Sequence, residues 1–182
     1  MNIFCEKDSK FTILSSLQTS LKCVMQGKIP IVVCIGTDAV VGDSLGPLVG
    51  SMLKERLKGK TYVFGTIESP ITAKEVPFVS DFVKNVYPDT PVLAIDAALG
   101  KSQEIGSIKF VKSSIKPGLG VDKDLGEIGN ASIIGVVEER ERGKHFLTSV
   151  RLSLVYKQAI LIATAVETYI KSCGQNKQLN FA

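Results

Sequence analysis

The chain has 182 residues, 45% of them hydrophobic, with 22 basic and 18 acidic side chains and a net charge of +4. That is the size and composition of one globular domain with a substantial core, not of a disordered chain. The mild charge holds no basic run that would mark a nucleic-acid footprint, and the longest apolar stretch, around Ala159 to Val166, is far too short to span a membrane.

In chain order, the amino terminus carries Glu6, Lys7 and Asp8 and lacks the basic-then-apolar layout of a signal peptide. Ser9 to Lys28 places Leu14, Leu17, Leu21, Val24 and Met25 at helical spacing, with Gly27 as a stop. Pro30 opens a strand, Ile31 to Ile35, apolar on both faces as a central parallel strand is. Leu45, Leu48, Val49, Met52, Leu53 and Leu57 form one face of a second helix, with Pro47 in its first turn and Gly59 as C-cap. Thr61 to Ile67 reads as a strand, Thr72 to Tyr87 as a helix, and Pro91 to Ile95 as a third strand ending at Asp96. Ser107 to Lys112 and Ala131 to Val137 read as further strands. Between them the glycine-rich stretch Lys116 to Gly129 reads as a long functional loop. Glu138 to Lys144 is a charged hairpin or loop. Val150 to about Cys173 is a final helix capped by Gly174, and the rest is a polar tail.

Strand and helix alternating at this spacing predict an α/β fold with a mostly parallel central sheet and right-handed crossovers, in one domain over residues 1–182. In a sheet of flavodoxin-like order the strands Ile31–Ile35 and Pro91–Ile95 are neighbours at the switch point, where ligands collect past the carboxyl ends of the strands. Asp43 and Asp96 then share one cleft. Four cysteines, Cys5, Cys23, Cys34 and Cys173, are scattered without C-x-x-C spacing, which suits a reducing cytoplasm.

The loop Gly36 to Gly46 admits several chemistries. Its glycines do not fit G-x-G-x-x-G, and Asp43 stands where a P-loop has lysine, so nucleotide binding is a poor reading. Gly42-Asp43-Ser44-Leu45 spells the GDSL esterase motif, but a serine nucleophile needs a histidine base and the sole histidine, His145, stands in a charged loop. Two close carboxyl groups, Asp43 and Asp96, share a proton, so that one activates water while the other protonates a leaving group. The same pair could hold a divalent ion, although transition metals favour histidine or cysteine as well. The plain alternatives are structural. Asp43 or Ser44 caps the following helix, Asp38 makes an Asx-turn, and Asp96 caps the turn after its strand.

Cys34-Ile35-Gly36-Thr37-Asp38, Gly42 through Val49, Ala94 through Gly100, Lys116 through Gly120 and Ile133 through Val137 together resemble the YyaC-type sporulation proteins. That family is similar to the spore germination protease and, more distantly, to the hydrogenase maturation peptidases. The resemblance implies a three-layer sandwich of the phosphorylase/hydrolase-like type. It also implies an aspartate-dependent endopeptidase of the developing or germinating spore, with Asp43 and Asp96 catalytic. Gly36, Thr37, Asp38, Ser44, Gly118 and Gly120 are the expected substrate-binding positions. The hydrogenase peptidases add a nickel-binding histidine that has no counterpart here, so no metal and no cofactor are expected. The expected partner is a spore protein or peptide in the forespore or spore core, with a homo-oligomer left open. A catalytically silent binding module on the same fold is the competing expectation, and a metal-dependent peptidase of the hydrogenase-maturation type is the third.

Overall fold

In the computed structural model, which describes residues 2–4, 9–115, 127–140 and 149–175, six strands form one sheet. The elements are β1 (Asn2–Phe4), α1 (Lys10–Met25), β2 (Ile31–Cys34), α2 (Leu45–Leu57), β3 (Val63–Phe64), α3 (Val76–Val86), β4 (Val92–Gly100), β5 (Ile108–Val111), β6 (Ala131–Glu139) and α4 (Leu152–Gln175). The strand order is β1-β5-β6-β4-β2-β3. β3, β2, β4 and β6 run parallel, β5 pairs antiparallel with β6, and β1 pairs antiparallel with β5. β2 and β4 are neighbours, in register from Ile31–Val92 to Cys34–Ile95, as the switch-point reading requires.

Local chemistry sets the helix ends. Ser9 sits in extended backbone, and its hydroxyl accepts the Thr12 N–H at 3.1 Å, so α1 starts there. Gln26 takes the left-handed conformation at the far end, followed by Gly27. Ile13, Leu17, Leu21 and Met25 lie four residues apart and are all buried. Leu45, Val49, Leu53 and Leu57 repeat that spacing in α2, and all four are buried.

The two faces of the sheet are covered unequally. On one, α1, α2 and α4 pack over Val32, Cys34, Leu93, Ile95 and Ile133. On the other, α3 brings Val76 and Val83 onto Ile31, Val33, Ile35 and Ala94, with Ile128 beside them. The alternation of β2 between the two clusters explains why all four of its residues are apolar. α4 is tied to the chain after α1 by Tyr169, whose hydroxyl donates to the Lys28 carbonyl at 2.9 Å. Gln158 of α4 donates to the carbonyls of Ser107 and Val136, at 3.0 and 3.2 Å, fixing the helix to the β5–β6 pair.

Several expected boundaries move. β4 does not end at Asp96 but continues to Gly100, because β6 goes on pairing with it past the end of β2. α3 begins at Val76, not Thr72, because the Glu75 carboxylate accepts the N–H and the hydroxyl of Thr72 and closes a separate turn. β3 is two residues long, shorter than Thr61–Ile67. Gly174 does not cap the last helix, which runs on to Gln175. Lys58, in the left-handed conformation, takes the C-cap of α2, one residue before Gly59. β1 was not expected at all. Glu138 and Glu139 belong to β6. Residues 116–126 of the glycine-rich loop, 141–148 of the charged loop, and the tail beyond Gln175 lie outside the described residues. The two ends of the glycine-rich segment are joined by reciprocal backbone hydrogen bonds between Ile115 and Ile128, at 3.0 and 3.1 Å. That junction stands before the amino end of β6, whereas Asp96 pairs with Ile134 farther along that strand.

Candidate active site

The site begins where β2 ends. The Ile35 N–H still reaches the Ile95 carbonyl, at 2.7 Å, and then the chain turns at Gly36 with φ +135°. A side chain cannot stand there, since a Cβ on Gly36 would lie 2.0 Å from the Asp43 carbonyl oxygen. The loop folds back on itself: the Thr37 N–H donates to that carbonyl at 3.1 Å, and the Asp43 N–H donates to Val40 at 2.9 Å. Val41–Asp43 form one tight helical turn that runs into α2. At Gly46 a Cβ would lie 2.0 Å from the Ile35 carbonyl, so this glycine lets the first turn of α2 press against the end of β2. These close approaches fix the backbone that carries Asp43.

Asp96 comes from the middle of β4. β4 keeps β2 as a neighbour only as far as Ile95, but keeps β6 as far as Gly100. Asp96 therefore stands at the first position where β4 has lost one flanking strand. One of its carboxylate oxygens accepts the Ala97 N–H at 2.8 Å.

Both carboxyl groups titrate far above the ordinary aspartate range. Burial pushes Asp43 up to about 6, against a smaller downward pull from the Thr37 amide. Burial also pushes Asp96 up to about 7, with the Asp43 charge raising it further and the Ala97 amide lowering it. The influence of Asp43 on Asp96 places the two groups within electrostatic reach of each other. Near neutrality, then, the pair holds a carboxylic acid beside a carboxylate.

The structural alternatives fare differently. Ser44 stands at the N-cap position of α2 but makes no cap; its buried hydroxyl donates to the Val41 carbonyl at 2.7 Å. That bond also occupies the hydroxyl that an esterase would use, and His145 lies outside the described residues. Asp43 does not cap α2 either. Asp38 is exposed and makes no Asx-turn: the turn is held by the Thr37 hydroxyl oxygen, which accepts the Ala39 N–H at 3.2 Å. No turn follows Asp96 for it to cap, since the strand continues. Of the expected substrate-binding positions, Gly36, Thr37 and Ser44 build the loop around Asp43, while Gly118 and Gly120 lie outside the described residues. Gly46 was overlooked, although a glycine just before a proline in the first turn of a helix is a legible sign of close packing. The Thr37 and Ala97 amides are backbone groups, for which side-chain identity gives no signal.

Among the described residues no three of His, Cys, Asp and Glu gather into a metal-binding group. Two concavities of about 500 and 480 Å³ open elsewhere, one around Lys84, Tyr87 and Asn130, the other around Lys101, Lys109 and Arg140. Neither is lined by Asp43 or Asp96. No helix among the described residues is long and apolar enough to cross a membrane.

Comparison with known proteins adds three findings. A family model described as "Protein of unknown function (DUF1256)" matches residues 3–165. The chain is 37% identical over 170 residues to the uncharacterized protein YyaC of Bacillus subtilis (strain 168), covering 93% of this chain and 81% of that protein. The NiFe hydrogenase maturation protease HycI from Thermococcus kodakarensis KOD1 is similar in structure at a TM-score of 0.46 and 20% identity, over 81% of this chain and 98% of that one.

Proposed function

The chain belongs to the DUF1256 family, and we propose that it is a peptidase that hydrolyses amide bonds with Asp43 and Asp96. The observation that carries the reading is the pair of half-buried carboxyl groups with pKa values raised to about 6 and about 7, one of them raised partly by the charge of the other. Near neutrality one group is a base and one an acid, which is the state that paired acid–base hydrolysis needs.

The ionised member of the pair takes a proton from an attacking water as the water oxygen bonds to the scissile carbonyl carbon. The other member holds its proton and gives it to the amide nitrogen as the carbon–nitrogen bond breaks. The Ala97 amide on one Asp96 oxygen fixes that carboxyl group's orientation. The finer reading is an endopeptidase of the germination-protease type, with a spore protein as substrate and the forespore or spore core as its place. It rests on the sequence resemblance.

The test is incubation of the wild-type chain, Asp43→Asn and Asp96→Asn with small acid-soluble spore proteins. Cleavage by the wild type and by neither variant is expected. Equal cleavage by all three removes the assignment.

A further inference from the structure

The outer margin of the sheet carries apolar surface that the fold leaves uncovered. Along α3, Phe78, Phe82 and Val86 stand one turn apart and are 77%, 47% and 50% exposed. Beside them β3 ends the sheet, and Tyr62, next to it, is 56% exposed. Ring contacts join helix and strand into one surface: Tyr62 lies 5.1 Å from Tyr87, and Phe64 meets Phe82 edge-on at 6.1 Å. At the 150–250 Å² that an aromatic side chain presents, these exposed fractions come to roughly 400 Å² of contiguous apolar area. That lies in the range of the largest patches a monomer leaves open, which are often functional. It is about half of the ~800 Å² per partner of a standard stable interface, whose core is apolar and whose rim is polar.

We propose that this face joins two copies of the chain in a two-fold dimer, α3 against α3 and β3 against β3. The stripe on α3 is symmetric about Phe82. In an antiparallel pair Phe82 meets the partner's Phe82, and Phe78 meets the partner's Val86. The strand edge obeys the same symmetry. The Tyr62 carbonyl points inward, accepting the Val32 N–H at 3.0 Å, so alternation turns the N–H and C=O of Val63 outward. An antiparallel approach of two such edges lets each Val63 satisfy the other and continues the sheet from one copy into the next. A stripe symmetric about its middle residue and a free strand edge at the same margin are what a second copy of this chain matches. The ladder adds little, because β3 is short; the apolar area supplies the affinity.

Sedimentation of the wild type, Phe78→Glu and Phe82→Glu tests this. The wild type is expected to be dimeric at ~10 µM, and each variant to raise the dissociation constant by tenfold or more. Phe78 makes no ring contact among the described residues, so Phe78→Glu is expected to keep the wild-type circular dichroism and melting temperature. It decides the matter even if Phe82→Glu unfolds. A wild type that stays monomeric at ~100 µM overturns the proposal, as does a dimer indifferent to Phe78→Glu. A monomer whose peptide hydrolysis is weakened by Phe78→Glu also overturns it, and gives the face to substrate instead. None of these sedimentation outcomes depends on Asp43 or Asp96, so this proposal and the peptidase reading fail separately.

Discussion

The two ends of the parallel strands are built for different ends. At the amino ends the molecule leaves a hollow of about 500 Å³ between the tail of α1, the tail of α3 and the start of β6, and its charged side chains Lys84 and Asp89 stand in solvent. Past the carboxyl ends of β4 and β6 a second hollow of about 480 Å³ opens around Lys101, Lys109 and Arg140, and apart from it, where β2 ends, two carboxyl groups are drawn partly out of water. Volume and chemistry therefore separate in this fold. The carboxyl pair lines neither opening, and it is withdrawal from water that raises both of its pKa values.

The comparison breaks most directly at the pair itself. Asp43→Asn and Asp96→Asn are each expected to lower peptide hydrolysis by about 10³-fold or more, because each removes a proton-transfer group. Steady-state rates on a spore-protein substrate check this. Loss from only one of the two variants would mean that the acids do not work as a pair.

Next in size is the support beneath Asp43. Gly46→Ala places a Cβ against the Ile35 carbonyl, where the gap is 2.0 Å, so backbone must move. A cost of about 2–4 kcal/mol is expected from overpacking of this kind. At the other end, Asn130→Ala removes the acceptor that holds the Val92 N–H at 2.7 Å and is expected to cost only ~1 kcal/mol. Urea unfolding of the two variants orders them. A Gly46→Ala protein as stable as the wild type would show that the loop is not held by that contact.

A third, smaller effect follows from pH. Both carboxyl groups titrate higher in the folded chain than unfolded, so from about pH 4 upward the folded state binds more protons and stability falls as pH rises through the folded values of about 6 and about 7. Asp96→Asn keeps an oxygen for the Ala97 N–H and removes the charge. It is expected to raise stability at pH 8 by on the order of 1–3 kcal/mol, or about 3–8 °C in melting temperature, and to change little at pH 4. Melting curves at the two values check the sign; stabilisation at pH 4 alone would contradict the burial of Asp96. The smallest effects belong to Ser44→Ala and Lys84→Ala, expected to leave the hydrolysis rate within about twofold. A large loss in Ser44→Ala would reopen the serine reading, and a large loss in Lys84→Ala would move the working end of the sheet.

The helices α1, α2 and α4 and the strand β2 were legible because each carries its pattern within one continuous stretch. Four residues between buried positions, or an unbroken apolar run, needs no distant partner to be recognised. β4 past Asp96 was not legible. Ala97 to Gly100 reads as a turn, and only pairing with β6 makes it strand. β1 was missed for the same reason, being too short to show a period, and β3 was found but overextended, since only Val63 and Phe64 pair with β2. The pair of acids was half legible. The loop after β2 and the strand end at Asp96 announced two carboxylates at a switch point, but the turns and caps assigned to Asp38, Asp43 and Ser44 went to Thr37 or to no side chain.

What the sequence determined by itself is the α/β class, the adjacency of β2 and β4, and the identity of the two acids, since local periodicity and chain connectivity are written in residue order. What only the tertiary structure decided is that those acids are half-buried within each other's field. Desolvation and charge proximity depend on atoms from β2, β4 and α2 arriving at one place, and no single stretch of chain contains that information.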